Sequence, residues 1–506
     1  MNRLPVALAA LSLVLASATS TLAATQASPI GEPVLLPVAS DPTVSFKIAF
    51  RIGSQNDAPG KEGLAYLTAT LMAEGATKKH PYPEILKILY PMATGYGVRV
   101  DKELITFSGR VHKDNLDAYL PLLLDAIREP AFEEADFSRI KQRTKDFIEK
   151  TLRYSSDEEL GKAGLYGAAF AGTPYAHLAA GTTAGLDAIT LDDVRQFHAH
   201  NFTRDEVVLA VGGGYDAALV GRIESQLALL PAGKPASVAA PAIVAPQGRP
   251  VVIVKKPGSG TAISFGFPIV ARRGDREFYA LWVANSWLGE HRNSSSHLYQ
   301  VIREKRGMNY GDYSYIECFP EGGNRNVPPA NVARRRQLFE VWIRPVPNDQ
   351  AQFALRAAVR EVENLAKNGL TQDQFELSRS FVSKYSLNYA VSTEDRLGYA
   401  LDDRIYGLRA PGHLDNFRRI IPTLTLAEVN AAIRKHLKPE RLWIAIVSEQ
   451  ADSLAARLAS GVASPMKYAT PKPAEVLAED KIIESWPLAL RREQIEVVPV
   501  DAMFAR

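Results

Sequence analysis

One order of elements occurs twice along this chain, and it restricts the fold more than any single motif does. In the first half TVSFKIAFRIG, beginning at Thr43, alternates as a half-buried strand, and the polar SQNDAPGKEG then turns the chain into an apolar helix. A helical stretch near 82–92, the turn TGYGVRV and the alternating strand ELITFSGRV come next. Helical segments at 115–129 and 133–153 follow, with Pro121 predicting a local irregularity or a tight start. In the second half TAISFGFPIV reads as a strand, REFYALWVANSWLG and SSSHLYQVIREKRG as helical, and YGDYSYIECF and QLFEVWIRPV as strands. Two helices then begin near Asp349 and Thr371. ITFSGRVHKDN (105–115) stands opposite EVWIRPVPNDQ (340–350), and EEADFSRIK opposite TQDQFELSR. Each half is therefore read as one copy of a duplication.

Between the copies lies LLPAGKPASVAAPAIVAPQGRP, residues 229–250, a linker by its Pro, Ala and Gly content. Strands with polar alternation followed by clustered helices favour α+β layering, with mixed antiparallel sheets and helices packed on them, over a doubly wound parallel sheet. No GxGxxG follows an early strand and no GxxxxGK[ST] occurs, which removes most support for nucleotide binding. A formal charge of +3 over 506 residues leaves no footprint for nucleic acid. Cys318 is the only cysteine, so no internal disulfide can form, and its place in the alternating YSYIECF predicts burial as a small hydrophobe. The first residues, MNRLPVALAALSLVLASATSTLAATQ, combine an early Arg, a short apolar run and small residues near Ala23, the pattern of a cleavable secretory segment over 1–24. The expected setting is the periplasm of a Gram-negative bacterium, with no stable membrane insertion.

GKEGLAYLTATLMAEG, residues 60–75, together with the preceding FRIGSQNDAP, resembles the active-site helix of the pitrilysin-like (insulinase, M16) zinc peptidases. Members of that family carry HxxEH there, where two imidazoles on one helical face bind zinc and the Glu serves the zinc-bound water. The matching positions here are Tyr66, Ala69 and Thr70, which cannot supply that chemistry. The family's third ligand lies in a helix that here reads RIKQRTKDFIEKTLR, near Asp146 and Glu149. His198 with His200 and His291 with His297 lack the required spacing and are read as surface or satisfied histidines, so no metal and no other cofactor is assigned to this chain.

LGEHRNSSSHLYQVIREKRGMNYGDYS (288–314) and GTPYAHLAAGTTAGLDAITLDDVRQFHAHNF (172–202) also resemble family segments, and the likeness covers about residues 40–465. It implies two duplicated lobes forming a clamshell: a first lobe over 25–228, the linker 229–250, a second lobe over 251–470 and a C-terminal extension over 471–506. Arg303 and Tyr310, seven residues apart, match the pair that in active relatives faces the zinc from the second lobe and stabilises the carbonyl oxygen. His291 and Asn309 depart from the family pattern in that segment. The resemblance implies a zinc-free subunit of a heterodimeric peptidase, binding peptide and lending Arg303 and Tyr310 to the zinc site of an HxxEH-bearing partner. The alternative is a non-catalytic peptide-binding or assembly protein with a peptidase-like fold.

Overall fold

A computed structural model describes residues 30–506; the export segment predicted over 1–24 lies outside them. The first half contributes strands β1 (Val34–Pro37), β2 (Thr43–Phe50), β3 (Tyr96–Val100), β4 (Ile105–His112) and β5 (Val207–Gly213). The second contributes β6 (Val251–Lys255), β7 (Gly260–Ile269), β8 (Asp312–Tyr315), β9 (Gln337–Pro347), β10 (Trp443–Ser448) and β11 (Ile495–Pro499).

The sheets show the duplication directly. In the first, β1 runs parallel to β5, which pairs antiparallel with β2, then β4, then β3. In the second, β6 runs parallel to β10, which pairs antiparallel with β7, then β9, then β8. The segments matched in sequence are β4 and β9, and the helices Glu134–Asp146 and Gln372–Tyr385, at equivalent places in the two copies. The residues from 471 onward add the helix Ala474–Ile483 and β11, which extends the second sheet beside β6. The last residues return to the first lobe, where Thr183 and Ala184 donate backbone N–H groups to the carbonyls of Phe504 and Ala505 at 3.0 Å.

The lobes exchange a helix. Asp157–Ala169 belongs to the first half, yet it lies on the second sheet, burying Leu160 with Val254, Ala262 and Val447, and Leu165 with Leu338 and Ala445. Its glycines bring it close: a Cβ on Gly161 would meet the Ser264 hydroxyl at 3.4 Å. Thr393–Tyr406 of the second half makes the reciprocal contact, packing Leu397 and Leu401 on Ala49, Val208 and Ala210 of the first sheet. Both helices are capped at their starts, by Ser156 and by Ser392 with Asp395. Burying each of these leucines contributes about 1.5–3 kcal/mol, so the lobes are held together by core packing as well as by the linker.

The exchange explains one difference from the sequence reading. β2 was expected to be half-buried, but almost every residue in it is buried. Val44, Phe46, Ile48 and Phe50 face the lobe's own core, while Ala49 and the stem of Lys47 face the visiting helix, where Lys47 reaches Glu394 at 3.8 Å. Pro121 produces no break. The helix Leu116–Arg128 runs through it, and the carbonyl left without a donor is that of Asp117 in the exposed first turn, open to water.

Candidate functional site

The helix Leu64–Glu74 begins at Gly63, whose φ of 108° only glycine adopts readily. The Asp57 carboxylate accepts from the N–H groups of Gly63 and Ala65 at 2.7 Å, satisfying two orphan donors of the first turn. Burial pushes Asp57 up to about 7 despite these two bonds, and His177 and Lys102 lie beside it. Burial likewise lowers Lys102 to about 8, and its ammonium donates to the His177 carbonyl. Gly181 has φ 92° and sits against Glu62, whose carbonyl oxygen would be 2.1 Å from an added Cβ. Two segments that carry the resemblance, GKEG and GTTAG, therefore meet backbone to backbone, and their glycines serve packing.

Along this helix Ala69 is fully buried in the first core and Thr70 nearly so. Tyr66 turns toward the space between the lobes; burial raises its phenol, which sits against the Thr70 hydroxyl. Asp146, in the helix expected to carry a third ligand, pairs with Lys150 at 2.7 Å on the outer surface. Among the described residues no group of three or more His, Cys, Asp or Glu is placed to hold a metal ion. Tyr, Ala and Thr at the ligand positions do not fit zinc.

The histidines have structural partners. His198 contacts the Ile127 carbonyl through Nε2 at 3.0 Å, and His200 the Gln196 carbonyl through Nδ1 at 2.7 Å. His297 meets Glu361 at 2.6 Å and stacks on Trp287. His291 bridges the Tyr315 hydroxyl and the Arg325 carbonyl, and burial lowers its imidazole to about 4, so it is neutral. Asn309 donates to Asp312 and to the Arg344 carbonyl, at 2.8 and 3.0 Å. The two departures from the family pattern, His291 and Asn309, thus brace their own loops.

Tyr66 opens onto a cavity of about 500 Å³ between the lobes. The first half supplies apolar wall from Val98, Phe147 and Leu152, and the second supplies Phe319 and Trp342. Ion pairs join the two halves: Arg334 donates through Nε to Asp101 at 2.8 Å, Arg335 to Glu103 at 2.8 Å, and Arg344 to Glu158 at 2.7 Å. On the floor the Lys162 ammonium lies 3.6 Å from the centre of the Trp342 ring and pairs with Glu159. Glu340, only 2% exposed, is pushed up to about 7 by burial, which Lys162 and Trp342 oppose. The Trp342 indole N–H opposes that rise by hydrogen bonding to the carboxyl from two residues along the same strand. Sequence reasoning missed Lys162, Arg334, Glu340 and Trp342. A glutamate inside the apolar run QLFEVW was the available signal.

Arg303 and Tyr310 do not line this cavity. Arg303 lies in the widened helical turn Tyr299–Glu304, its side chain 38% exposed, pairing with Glu304 at 2.5 Å and resting 5.5 Å from the Tyr299 ring. Tyr310 is 79% exposed. Cys318 is buried at the cavity edge, and burial pushes its thiol up to about 12. No helix among the described residues is long and apolar enough to cross a membrane.

A duplicated two-lobed α+β shell whose first-lobe helix presents Tyr, Ala and Thr in place of metal ligands defines a peptidase-like scaffold without the metal chemistry. A profile described as insulinase, peptidase family M16, matches residues 34–182, and one described as the peptidase M16 inactive domain matches residues 188–381. The chain belongs to peptidase family M16, with Tyr66, Ala69 and Thr70 where the HxxEH residues of that family would stand. It is 26% identical to an uncharacterised zinc protease of Streptomyces coelicolor over 66% of this chain and 69% of that protein. It is 23% identical to a non-peptidase homolog of Helicobacter pylori over 80% of this chain and 88% of that protein. The crystal structure of a peptidase M16 inactive domain from Pseudomonas fluorescens superposes with a TM-score of 0.73 at 23% identity, covering 83% of this chain and 96% of that one.

Proposed function

We propose that this protein binds peptides, or holds an assembly together, with a peptidase-like shell that performs no chemistry of its own. The observation that carries this reading is the cavity at the former metal face: Tyr66 opens onto a space with aromatic walls, and no metal-holding group accompanies it among the described residues. The Helicobacter relative described as a non-peptidase homolog supports the same reading. The test is fluorescence anisotropy of labelled peptides with the purified protein, with and without chelator, followed by mass spectrometry of the peptides. Saturable binding that ignores the chelator and leaves peptides intact is expected. Chelator-sensitive cleavage refutes it.

One observation favours a second reading, the zinc-free subunit of a heterodimer. Tyr310 and the partly exposed Arg303 lie outside the intramolecular cavity, where another chain can reach them. On this reading an HxxEH-bearing homologue holds the zinc, and Arg303 and Tyr310 steady its substrate. Adding this protein to such a homologue then raises peptidase activity, and Arg303→Ala or Tyr310→Phe reduces the rise while leaving assembly intact. No stimulation by the correct partner rejects it. In either case we place the protein in the periplasm because of the export pattern over 1–24. Recovery of the processed chain in the periplasmic fraction tests that placement.

A further inference from the structure

We propose that residues 500–505 are a latch: seated on the first lobe, they hold the second lobe closed against it, and their release is the step by which the lobes part. The linker ties the lobes at one end of the second sheet, where Arg335 and Arg336, just ahead of β9, donate to the carbonyls of Val238 and Pro241 at 2.8 and 3.1 Å. β11 leaves that sheet at the opposite end. Pro499 stands beside Lys255, the last residue of β6, at the end where β7 begins and β9 finishes. Lobes tied at one end are free to turn about the tie, and a second tie at the other end removes that freedom.

Past Pro499 the chain touches every party to the lobe junction. The Phe504 and Ala505 carbonyls accept from Thr183 and Ala184 of the first lobe. The Arg153 guanidinium, only 5% exposed, donates through Nε and Nη2 to the Met503 carbonyl at 3.0 and 2.8 Å, and the Tyr154 hydroxyl donates to Asp501 at 2.7 Å. Val500 and Met503 are buried with Leu160 of the exchanged helix and with Val254 and Val447 of the second sheet, while Phe504 also packs on the first core. A Cβ on Gly164 of that helix would lie 3.3 Å from the Met503 methyl. A segment of this kind frays unless it is tied down. Here the tie includes a buried cation whose hydrogen bonds go to one carbonyl, so departure of the segment would strand it. Leu160 shares one cluster with the latch and the second sheet, so the helix Asp157–Ala169 leaves that sheet only as the latch comes away.

The other exchanged helix, Thr393–Tyr406, reports on opening from a distance, because the cluster that docks it on the first sheet contains none of residues 500–505. Hydrogen exchange read by mass spectrometry compares the full chain with one lacking residues 500–506. The deletion is expected to speed exchange at least about tenfold in Thr393–Tyr406 as well as in Asp157–Ala169, while β2 and β7 keep their protection. Acceleration confined to the residues that the latch touches, or none at all, overturns the inference, since a segment that only packs locally gives that result. If the shortened chain does not fold, the full chain decides. Tyr154→Cys and Asp501→Cys are joined by a short bis-maleimide, with the buried Cys318 left unlabelled. Exchange in Thr393–Tyr406 then slows relative to the same chain before cross-linking, and an unchanged rate overturns the inference.

Discussion

Replacing Arg334 by Met tests how the two lobes are joined. Arg334 and Asp101 are both almost fully buried, and the guanidinium addresses both carboxylate oxygens across the lobe boundary. Burial alone pushes Asp101 up, but the charge and hydrogen bonds of Arg334 more than offset it, so the carboxyl ends below its ordinary value. Breaking such a pair from one side leaves a buried uncompensated charge, at a cost of about 3–5 kcal/mol. The sign with pH is specific. In the wild type the depressed carboxyl contributes stability above its unfolded value of about 4, lost as pH falls through the lower folded value. In Arg334→Met the carboxyl is raised instead, so its penalty is absent below about pH 4 and grows as pH rises toward neutrality. Guanidinium unfolding followed by tryptophan fluorescence at pH 4.5 and 7 should show a deficit that widens with pH. Adding Asp101→Asn to the variant should recover much of it. A variant within about 1 kcal/mol of wild type at pH 7, or a deficit indifferent to pH, would refute the idea that this pair bears on lobe docking.

Three further outcomes are expected. Leu160→Ala and Leu397→Ala, one on each exchanged helix, should each cost about 2–5 kcal/mol in the same unfolding assay, and near-neutral effects would mean that the exchanged helices are loosely docked. Ala69→Glu, which restores one residue of HxxEH, should lower stability by roughly 3 kcal/mol or more because the position lies in the sealed core of the first lobe; wild-type stability would show that the helix face is open. Cys318 should resist a thiol-specific disulfide reagent at pH 8 in the folded protein and react fully in guanidinium, since burial pushes its thiol up to about 12; rapid labelling of the folded chain would contradict that burial.

The repeat was legible because its strands carry their periodicity locally. TVSFKIAF and ITFSGRVH alternate over eight residues, and each pairs with a strand whose alternation matches. The exchange of helices was not legible. DEELGKAGLYGAA looks like any small-residue helix, and whether its Gly161 face meets its own sheet or the other copy's depends on chain path, which periodicity does not encode. β11 escaped for a related reason: a short segment beyond the apparent end of a lobe gains meaning only when β6 offers it a free parallel edge.

The site divides along the same line. That Tyr66, Ala69 and Thr70 cannot bind zinc follows from their side chains alone and needs no coordinates. What surrounds Tyr66 does not follow from them. Glu340 and Trp342 sit two apart on β9 and so share a face of that strand, but the face is made important by the first-half helix that carries Lys162 across to it. A glutamate in an apolar strand is costly wherever it is buried, and the usual remedy is an ion pair. Here the Lys162 ammonium, itself paired with Glu159, and a hydrogen bond from the Trp342 indole N–H oppose that cost without bringing the carboxyl back to its ordinary value. Lys162 reaches the carboxyl only because the helix Asp157–Ala169 of the first half lies on the second sheet, so the state of Glu340 depends on the docking of the lobes.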